Sequence, residues 1–345
     1  MKKKQCLVTA CCAGVAFIMA ALLLGYPAGV MAKTYELSLA THVSAKAAPY
    51  HAAFEPWAKE LEKRTKGQVK IKFYLSQTLV KARDSYDAVK NGIADISWVA
   101  YSWTPGRFPL SSVMELPYLS PDTFTGAYVL TELYNKFPQM RDEIKDVHLM
   151  WLWVTLPYEV HTNKPIRKLE DIKGMKLATQ PGARAAVEGL GAVPVTMPTP
   201  QIYQTVEKGV ADGAGLAWGA FKAFKIYEVT KYHVNPHLSG LPYCIIMNKK
   251  TWNNLPKDLQ KIITDLNKEM MPKTHCQAVS DEMDEGIKIV KDRGHEITEL
   301  SAQERARWVA TGKPAWDKWV KDMEAKGYPG RAILDETLKL LEKYK

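Results

Sequence analysis

The sequence predicts an α/β protein built from two similar lobes. Three observations carry that expectation. A ten-residue pattern, Tyr-x-x-Val-x-x-Gly-x-Ala-Asp, occurs at Tyr86–Asp95 and again at Tyr203–Asp212. The second copy closes a run of alternating strand and helix patterns, the grammar of a parallel α/β unit. A single helical pattern runs from Pro256 to Arg293; its 38 residues would reach roughly 57 Å at about 1.5 Å each, more than one lobe is wide.

The repeat has a plain physical content. Each copy shows one apolar helical face, stops at a glycine and feeds a buried strand. Gly92 and Gly209 suit the left-handed conformation that ends a helix. Around the second copy, Met175–Ala178 and Val193–Val195 read as strands, and Gly182–Leu190 and Pro200–Lys208 as helices. Two such units about a hundred residues apart imply two similar lobes.

The chain opens with Lys2, Lys3 and Lys4, then an apolar run from Leu7 to Leu24, then Pro27, Gly29 and Val30-Met31-Ala32. This is the layout of a secretory signal peptide over residues 1–32, cut after Ala32, and it implies a periplasmic protein. A retained anchor is the alternative, since 18 apolar residues could just span a bilayer. Most of the apolar run follows Cys11, which argues against lipidation there. Cys6, Cys11 and Cys12 would leave with the leader, and Cys244 and Cys276 would remain, as a pair or as two buried thiols.

Composition is ordinary for a globular protein, with 46% hydrophobic and 24% charged residues. The formal charge of +10 becomes +7 without the three leader lysines. No arginine-rich run is interleaved with aromatics, which argues against nucleic acid.

In order, Tyr35–Ala40 alternates as a first strand, and Thr41–Ser44 is a loop at its carboxyl end, where open sheets bind ligands. Phe54, Trp57, Ala58 and Leu61 share a helical face ending at Gly67, with Pro56 implying a kink or a late start. Val69–Tyr74 is a second strand, and Ile96–Val99 a third. Pro105–Pro121 is a proline-punctuated connection, and Phe124–Phe137 a helix. Leu149–Thr155 is a strand that crosses toward the second lobe, and Tyr243–Asn248 one that returns. In the long helix Pro272 is expected to cause a bend. Two further helices are expected around Gln303–Lys326 and Arg331–Tyr344, with Trp308, Trp316 and Trp319 as core or docking residues.

Sought-for chemistry is mostly missing. Pro236 between His233 and His237 spoils a helical metal pair, so no metal is expected. Gly213-Ala214-Gly215 with Gly219 has the wrong spacing for a dinucleotide loop, so no cofactor is expected. No nucleophile elbow, P-loop or paired-cysteine zinc pattern occurs, so no catalytic residue is named.

Several stretches carry a family resemblance. Asn163–Ile166 with Leu169–Leu177, Leu190–Met197, Gly209–Gly213 and Leu116–Leu119 resemble motifs of the DctP-type solute-binding proteins of TRAP transporters. The resemblance covers nearly the whole mature chain. It implies the two-lobed periplasmic binding protein fold (class II-like), each lobe a mixed sheet flanked by helices, with a long helix spanning both. Lobe I would comprise 33–154 plus about 239–282. Lobe II, with the C-terminal helices, would comprise 155–238 plus about 283–345. It further implies a receptor that closes on a small organic solute and delivers it to membrane permease subunits, with no enzymatic step. An ABC-importer binding protein, a sensor's ligand module and a secreted enzyme with its site in the cleft are the alternatives.

The site departs from the family. The position of its carboxylate-binding arginine is Ala178, and that of a second arginine is Tyr158. Either Arg184 replaces them, helped by free N–H groups near Gly182, or the ligand is aromatic or partly apolar and is held by stacking and hydrogen bonds. By the resemblance, Trp98, Tyr101, Tyr158, Trp218 and Tyr243 fall at or near cleft positions, each also able to serve as core. His42 and Thr199 match ligand-facing positions, Ala100 borders the same gap, and Leu216 replaces an asparagine.

Overall fold

The strand pairings answer the two-lobe expectation directly. In a computed structural model, which describes residues 33–119 and 122–344, the strands are β1 (Tyr35–Ala40), β2 (Val69–Tyr74), β3 (Ile96–Ala100), β4 (Val147–Val154), β5 (Glu159–Thr162) and β6 (Lys176–Thr179). They continue with β7 (Val193–Thr196), β8 (Gly213–Leu216), β9 (Tyr232–Val234), β10 (Pro242–Asn248) and β11 (Glu296–Thr298). One sheet has the order β2-β1-β3-β10-β4, the other β11-β9-β5-β8-β6-β7. The expected leader, with Cys6, Cys11, Cys12 and the cut after Ala32, lies outside the described residues.

The sheets share one design, and the sequence repeat causes it. The copies form helices Ser85–Lys90 and Ile202–Glu207. Gly92 and Gly209 follow their ends with φ of 76° and 69°. In the first copy the N–H of Gly92 bonds Val89 O at 3.1 Å and that of Ile93 bonds Ala88 O at 2.8 Å. In the second, Gly209 bonds Val206 O and Val210 bonds Thr205 O, both at 3.0 Å. Both are the same glycine-terminated helix end, in which a side chain at the glycine would be strained. The closing aspartates then fix register. Asp95 Oδ2 accepts the Ser38 N–H at 2.9 Å, and Asp212 Oδ2 accepts the Lys176 N–H at 2.8 Å. One residue on, Leu39 pairs with Ile96 in parallel, and Leu177 with Gly213.

The parallel strands, β1 and β3 in one sheet and β7, β6 and β8 in the other, are each extended by an antiparallel strand. β10 runs antiparallel between β3 and β4. β5 runs antiparallel between β8 and β9. The return of Tyr243–Asn248 to the first sheet agrees with the sequence expectation.

Helices cover both sheets. A π-helical segment, Pro49–Phe54, leads into helix Glu55–Arg64, where Pro56 sits in the first turn and its missing N–H is not needed. The long helix is continuous over Lys257–Asp292, about 54 Å by the rise of an α-helix. Its first half meets the first sheet's elements: Asn267 Oδ1 accepts from Trp57 Nε1 at 2.8 Å, and His275 packs 4.3 Å from Trp153. Its second half meets the second sheet's elements. A Cβ on Gly286 would lie 2.6 Å from Trp218 O, so only glycine permits that approach.

The tail differs from expectation in two ways. The first tail helix is two, Ala302–Ala310 and Lys313–Glu324, broken where Gly312 abuts Pro117 and Tyr118. The expected second lobe includes residues 283–345, yet Trp319, Val320, Met323, Ile333 and Leu334 share one hydrophobic cluster with Val99, Cys244 and Ile246 of the first sheet. Cys244 and Cys276 are free and buried. Among the described residues no helix is long and apolar enough to cross a membrane.

Candidate ligand-binding cavity

A cavity of about 100 Å³ opens where the carboxyl ends of β1 and β3 face those of β6 and β8. The first sheet supplies an aromatic wall. Tyr243 and Trp153 are paired neighbours on β10 and β4, and their rings stack at 5.4 Å and 16°. Trp98 meets Trp153 edge-on at 4.9 Å. His42, in the loop after β1, stands edge-on to Trp98 at 5.1 Å. These geometries suit aromatic quadrupoles and leave a mostly apolar face.

The second sheet supplies polar groups. Gln180 follows β6 and is buried. Its Nε2 lies 2.7 Å from Tyr158 Oη, 2.7 Å from Thr199 Oγ1 and 2.8 Å from Tyr243 Oη. Its Oε1 accepts from Trp103 Nε1 at 2.8 Å. An amide nitrogen has two hydrogens for these three oxygens, so the Tyr158 and Tyr243 hydroxyls also share a hydrogen bond. Burial holds both phenols far above their ordinary range, so they remain neutral donors.

Two cavity residues carry polar atoms with no partner. His42 Nδ1 and Trp98 Nε1 are buried and make no hydrogen bond. Burial pulls the His42 imidazole down to about 3, so it is neutral. No lysine or arginine lines the cavity among the described residues. The long helix contributes Val279 and Glu282. Apart from Ser44 and Thr155 the remaining surface is apolar, with Leu216, Ala217 and Phe224 prominent.

The residues singled out from sequence divide in two. His42, Trp98, Tyr158, Thr199, Leu216 and Tyr243 line the cavity. Ala100, Tyr101, Ala178, Arg184 and Trp218 do not. Ala178 is sealed within the sheet between Val195 and Ala214, and Ala100 ends β3 opposite Tyr243. Tyr101 turns away, stacks on Phe108 at 4.1 Å and reaches the Tyr134 hydroxyl at 3.0 Å. Trp218 packs on His161 at 4.7 Å and donates to Asn235 Oδ1 at 2.9 Å. The Arg184 side chain is 62% exposed and pairs with Glu188 one helical turn on. The N–H groups near Gly182 do not welcome an anion, because the Glu115 carboxyl presses there, 2.6 Å from where a Gly182 Cβ would be.

Trp153, Gln180, Phe224 and Glu282 are cavity residues that the sequence reading misses. Gln180 has a usable cue: a polar residue at a strand's carboxyl end, just before Pro181. Glu282 has no such cue, because it sits in the acidic run Asp281-Glu282-Met283-Asp284-Glu285.

The profile of bacterial extracellular solute-binding protein family 7, DctP, matches residues 40–322. The chain belongs to the DctP family. Among curated relatives, the C4-dicarboxylate-binding periplasmic protein DctP of Rhodobacter capsulatus is 27% identical over 291 residues, 83% of this chain and 86% of that one. A TRAP solute-binding protein from Rhodoferax ferrireducens, solved with copurified benzoate, is 27% identical and superposes with a TM-score of 0.85, covering 90% of this chain and 98% of that one. A marine metagenome TRAP solute-binding protein specific for aromatic acid ligands, solved with 3-hydroxybenzoate, is also 27% identical, with TM-score 0.85 and coverages of 91% and 99%. The fold and the class of activity follow. This DctP-family protein is a two-sheet α/β solute-binding protein of the TRAP type, and its relatives are receptors.

Proposed function

We infer that this protein captures a monocyclic aromatic carboxylate between its two lobes, leaves it chemically unchanged and delivers it to TRAP permease subunits in the membrane. The observation that carries this reading is the aromatic wall of Trp98, Trp153 and Tyr243 beside the unpartnered Trp98 Nε1. The ring of the cargo stacks on that wall. Trp98 Nε1–H, the His42 imidazole, the Thr199 hydroxyl and the one phenol hydrogen that the Tyr158–Tyr243 bond leaves free are the donors for its oxygen atoms. Leu216 and Phe224 cover its apolar edge. Two relatives at 27% identity hold benzoate and 3-hydroxybenzoate, which supports the same class here.

Lobe I takes residues 33–154 and about 239–282, and lobe II residues 155–238. Solute binds one lobe first, and contacts from the other favour the closed form. Export by a leader ending at Ala32 places the receptor in the periplasm, where capture needs no nucleotide.

The test is calorimetric titration of the ligand-free protein with benzoate, 3-hydroxybenzoate and succinate. Aromatic acids binding at least a hundredfold tighter than succinate support the reading. Succinate binding as tightly as benzoate overturns it. Co-isolation of the permease subunits on the immobilised, benzoate-loaded protein supports the delivery step, and retention equal to a ligand-free control sinks it.

A further inference from the structure

A carboxylate cargo poses a charge problem in this cavity. Every cationic side chain is absent from the lining among the described residues, and the one carboxyl there is Glu282. This side chain is buried on the long helix. Its Oε1 is fixed by the Ala48 N–H at 2.7 Å. Its Oε2 has no hydrogen-bond partner among the described residues and lies 3.6 Å from where a Gly219 Cβ would stand, so the missing side chain at Gly219 leaves room beside it. The nearest base, Lys222, is held by Glu285 at 2.9 Å and makes no ion pair with Glu282.

Two carboxylates in one desolvated space repel too strongly for both to stay ionised, so one proton must be shared between them. We propose that Glu282 enters the complex in its neutral form and donates its Oε2–H to the carboxylate of the cargo, taking the place of a guanidinium. A hydroxyl-to-carboxylate bond of this kind is short and charge-assisted. It discriminates against a second negative charge on the cargo, which would meet no further cation. The inference rests on the aromatic-carboxylate reading and names the group that receives the charge.

The surroundings agree. Burial, helped by the Glu285 charge, pushes the Glu282 carboxyl up to about 8, while the Ala48 N–H and Lys222 oppose the shift. The other titratable groups around the cavity stay out of that range: His42 and His275 are neutral down to about 3, and Tyr158 and Tyr243 are far above their ordinary range. Below about 8 the protein meets an anionic cargo with the proton in place. Above it, each binding event must take up one proton, and affinity falls about tenfold per pH unit.

The test is titration of the full chain with benzoate, an anion throughout, from pH 6 to 9.5, in wild type and Glu282→Gln. At pH 9 the wild type is also titrated in two buffers of different ionisation enthalpy. The expected wild-type result is a plateau below about pH 8, a tenfold weakening per unit above it, and uptake of nearly one proton at pH 9. Glu282→Gln, whose amide still donates, is expected to bind within a few-fold of wild type at pH 6.5 and to show no pH dependence. Glu115, also pushed up to about 8, lies outside the cavity and is unchanged in the variant, so a pH dependence that survives Glu282→Gln overturns the proposal. So does a flat wild-type profile, or benzylamine binding tighter than benzoate through an ionised Glu282. The proton uptake is read on wild type, so it decides the matter even where the variant fails to fold. Benzoate failing at every pH, with succinate binding instead, overturns the cargo class itself; benzoate binding without proton uptake overturns only the role of Glu282.

Discussion

Gln180 Nε2 stands 2.8 Å from the Tyr243 hydroxyl, so an amide that follows β6 of one sheet holds a phenol on β10 of the other. Its oxygen takes the Trp103 indole N–H at 2.8 Å, a second tie across the same seam. Gln180→Ala would leave that N–H and the Thr199 hydroxyl without a partner in a buried place, and Tyr158 and Tyr243 with only each other. An unsatisfied buried group costs about 1–3 kcal/mol. Urea unfolding of the ligand-free variant is expected to show a loss of that size. A midpoint equal to wild type would mean that Gln180 is not a structural tie.

Trp98→Phe keeps a ring on the cavity wall and removes Nε1–H. If that N–H receives the cargo, the loss is one charge-assisted hydrogen bond, about 1.5–3 kcal/mol, or roughly tenfold or more in affinity. Benzoate calorimetry reads it directly. Unchanged affinity would assign Trp98 to packing alone.

Arg184→Ala separates the two anion hypotheses. Arg184 is exposed and paired to Glu188 within its own helix, an arrangement worth about 0.3–0.5 kcal/mol at most. Affinity for any carboxylate is expected to stay within twofold. A tenfold loss would return the guanidinium to the site. Trp218→Ala, by contrast, opens a cavity beside His161 and Phe221 and is expected to cost about 3–5 kcal/mol in stability.

Stability should peak in mild acid. His42, His161 and His275 fall from 6.5 to about 3 through burial. The unfolded chain binds their protons first, so their contribution is present above 6.5 and is lost as pH falls toward 3. Glu115 and Glu282 rise from 4.5 to about 8, and Glu143 to about 7, again through burial. The folded chain keeps those protons, so that contribution is present below 4.5 and is lost as pH rises toward 8. The melting temperature of the ligand-free protein is expected to be highest between about 4.5 and 6.5 and to decline toward pH 8. A maximum at pH 8 would contradict the assignments.

Reductant should do nothing. Cys244 and Cys276 are free and buried, and burial lifts their thiols to values that keep them protonated. The melting temperature is expected to be the same with and without dithiothreitol, and alkylation after denaturation should label both.

Much of the frame could be read from residues. The repeat at Tyr86 and Tyr203 foretold two helix ends and the strands that follow them, because glycine φ is a local property; the part that Asp95 and Asp212 play in register shows only once the strands are paired. β9 and β11 escape sequence reading because three-residue strands carry too little periodicity. β8 is foretold only as the strand that the second repeat feeds, without bounds, because Gly213-Ala214-Gly215 has no strand propensity and is held by its neighbours. The site was half legible. Aromatic residues near strand ends were visible, but whether such a side chain turns in or out depends on one backbone turn. Tyr101 follows β3 directly and turns outward to Phe108, whereas Tyr243 on the neighbouring strand faces the cavity. Arg184 attracts attention because charge looks functional in a sequence, and the exposure that makes it ordinary does not show there.

The place of β10 between β3 and β4 sets the order in which this chain can fold. Ile96 pairs with Met247, about 150 residues later, and such a distant closure is slow compared with local contacts. During synthesis β3 and β4 wait with open edges while the whole intervening segment emerges. The newly made chain therefore reaches a closed first sheet only after Asn248 is available. A fragment ending before Pro242 would keep both edges bare and is expected to aggregate.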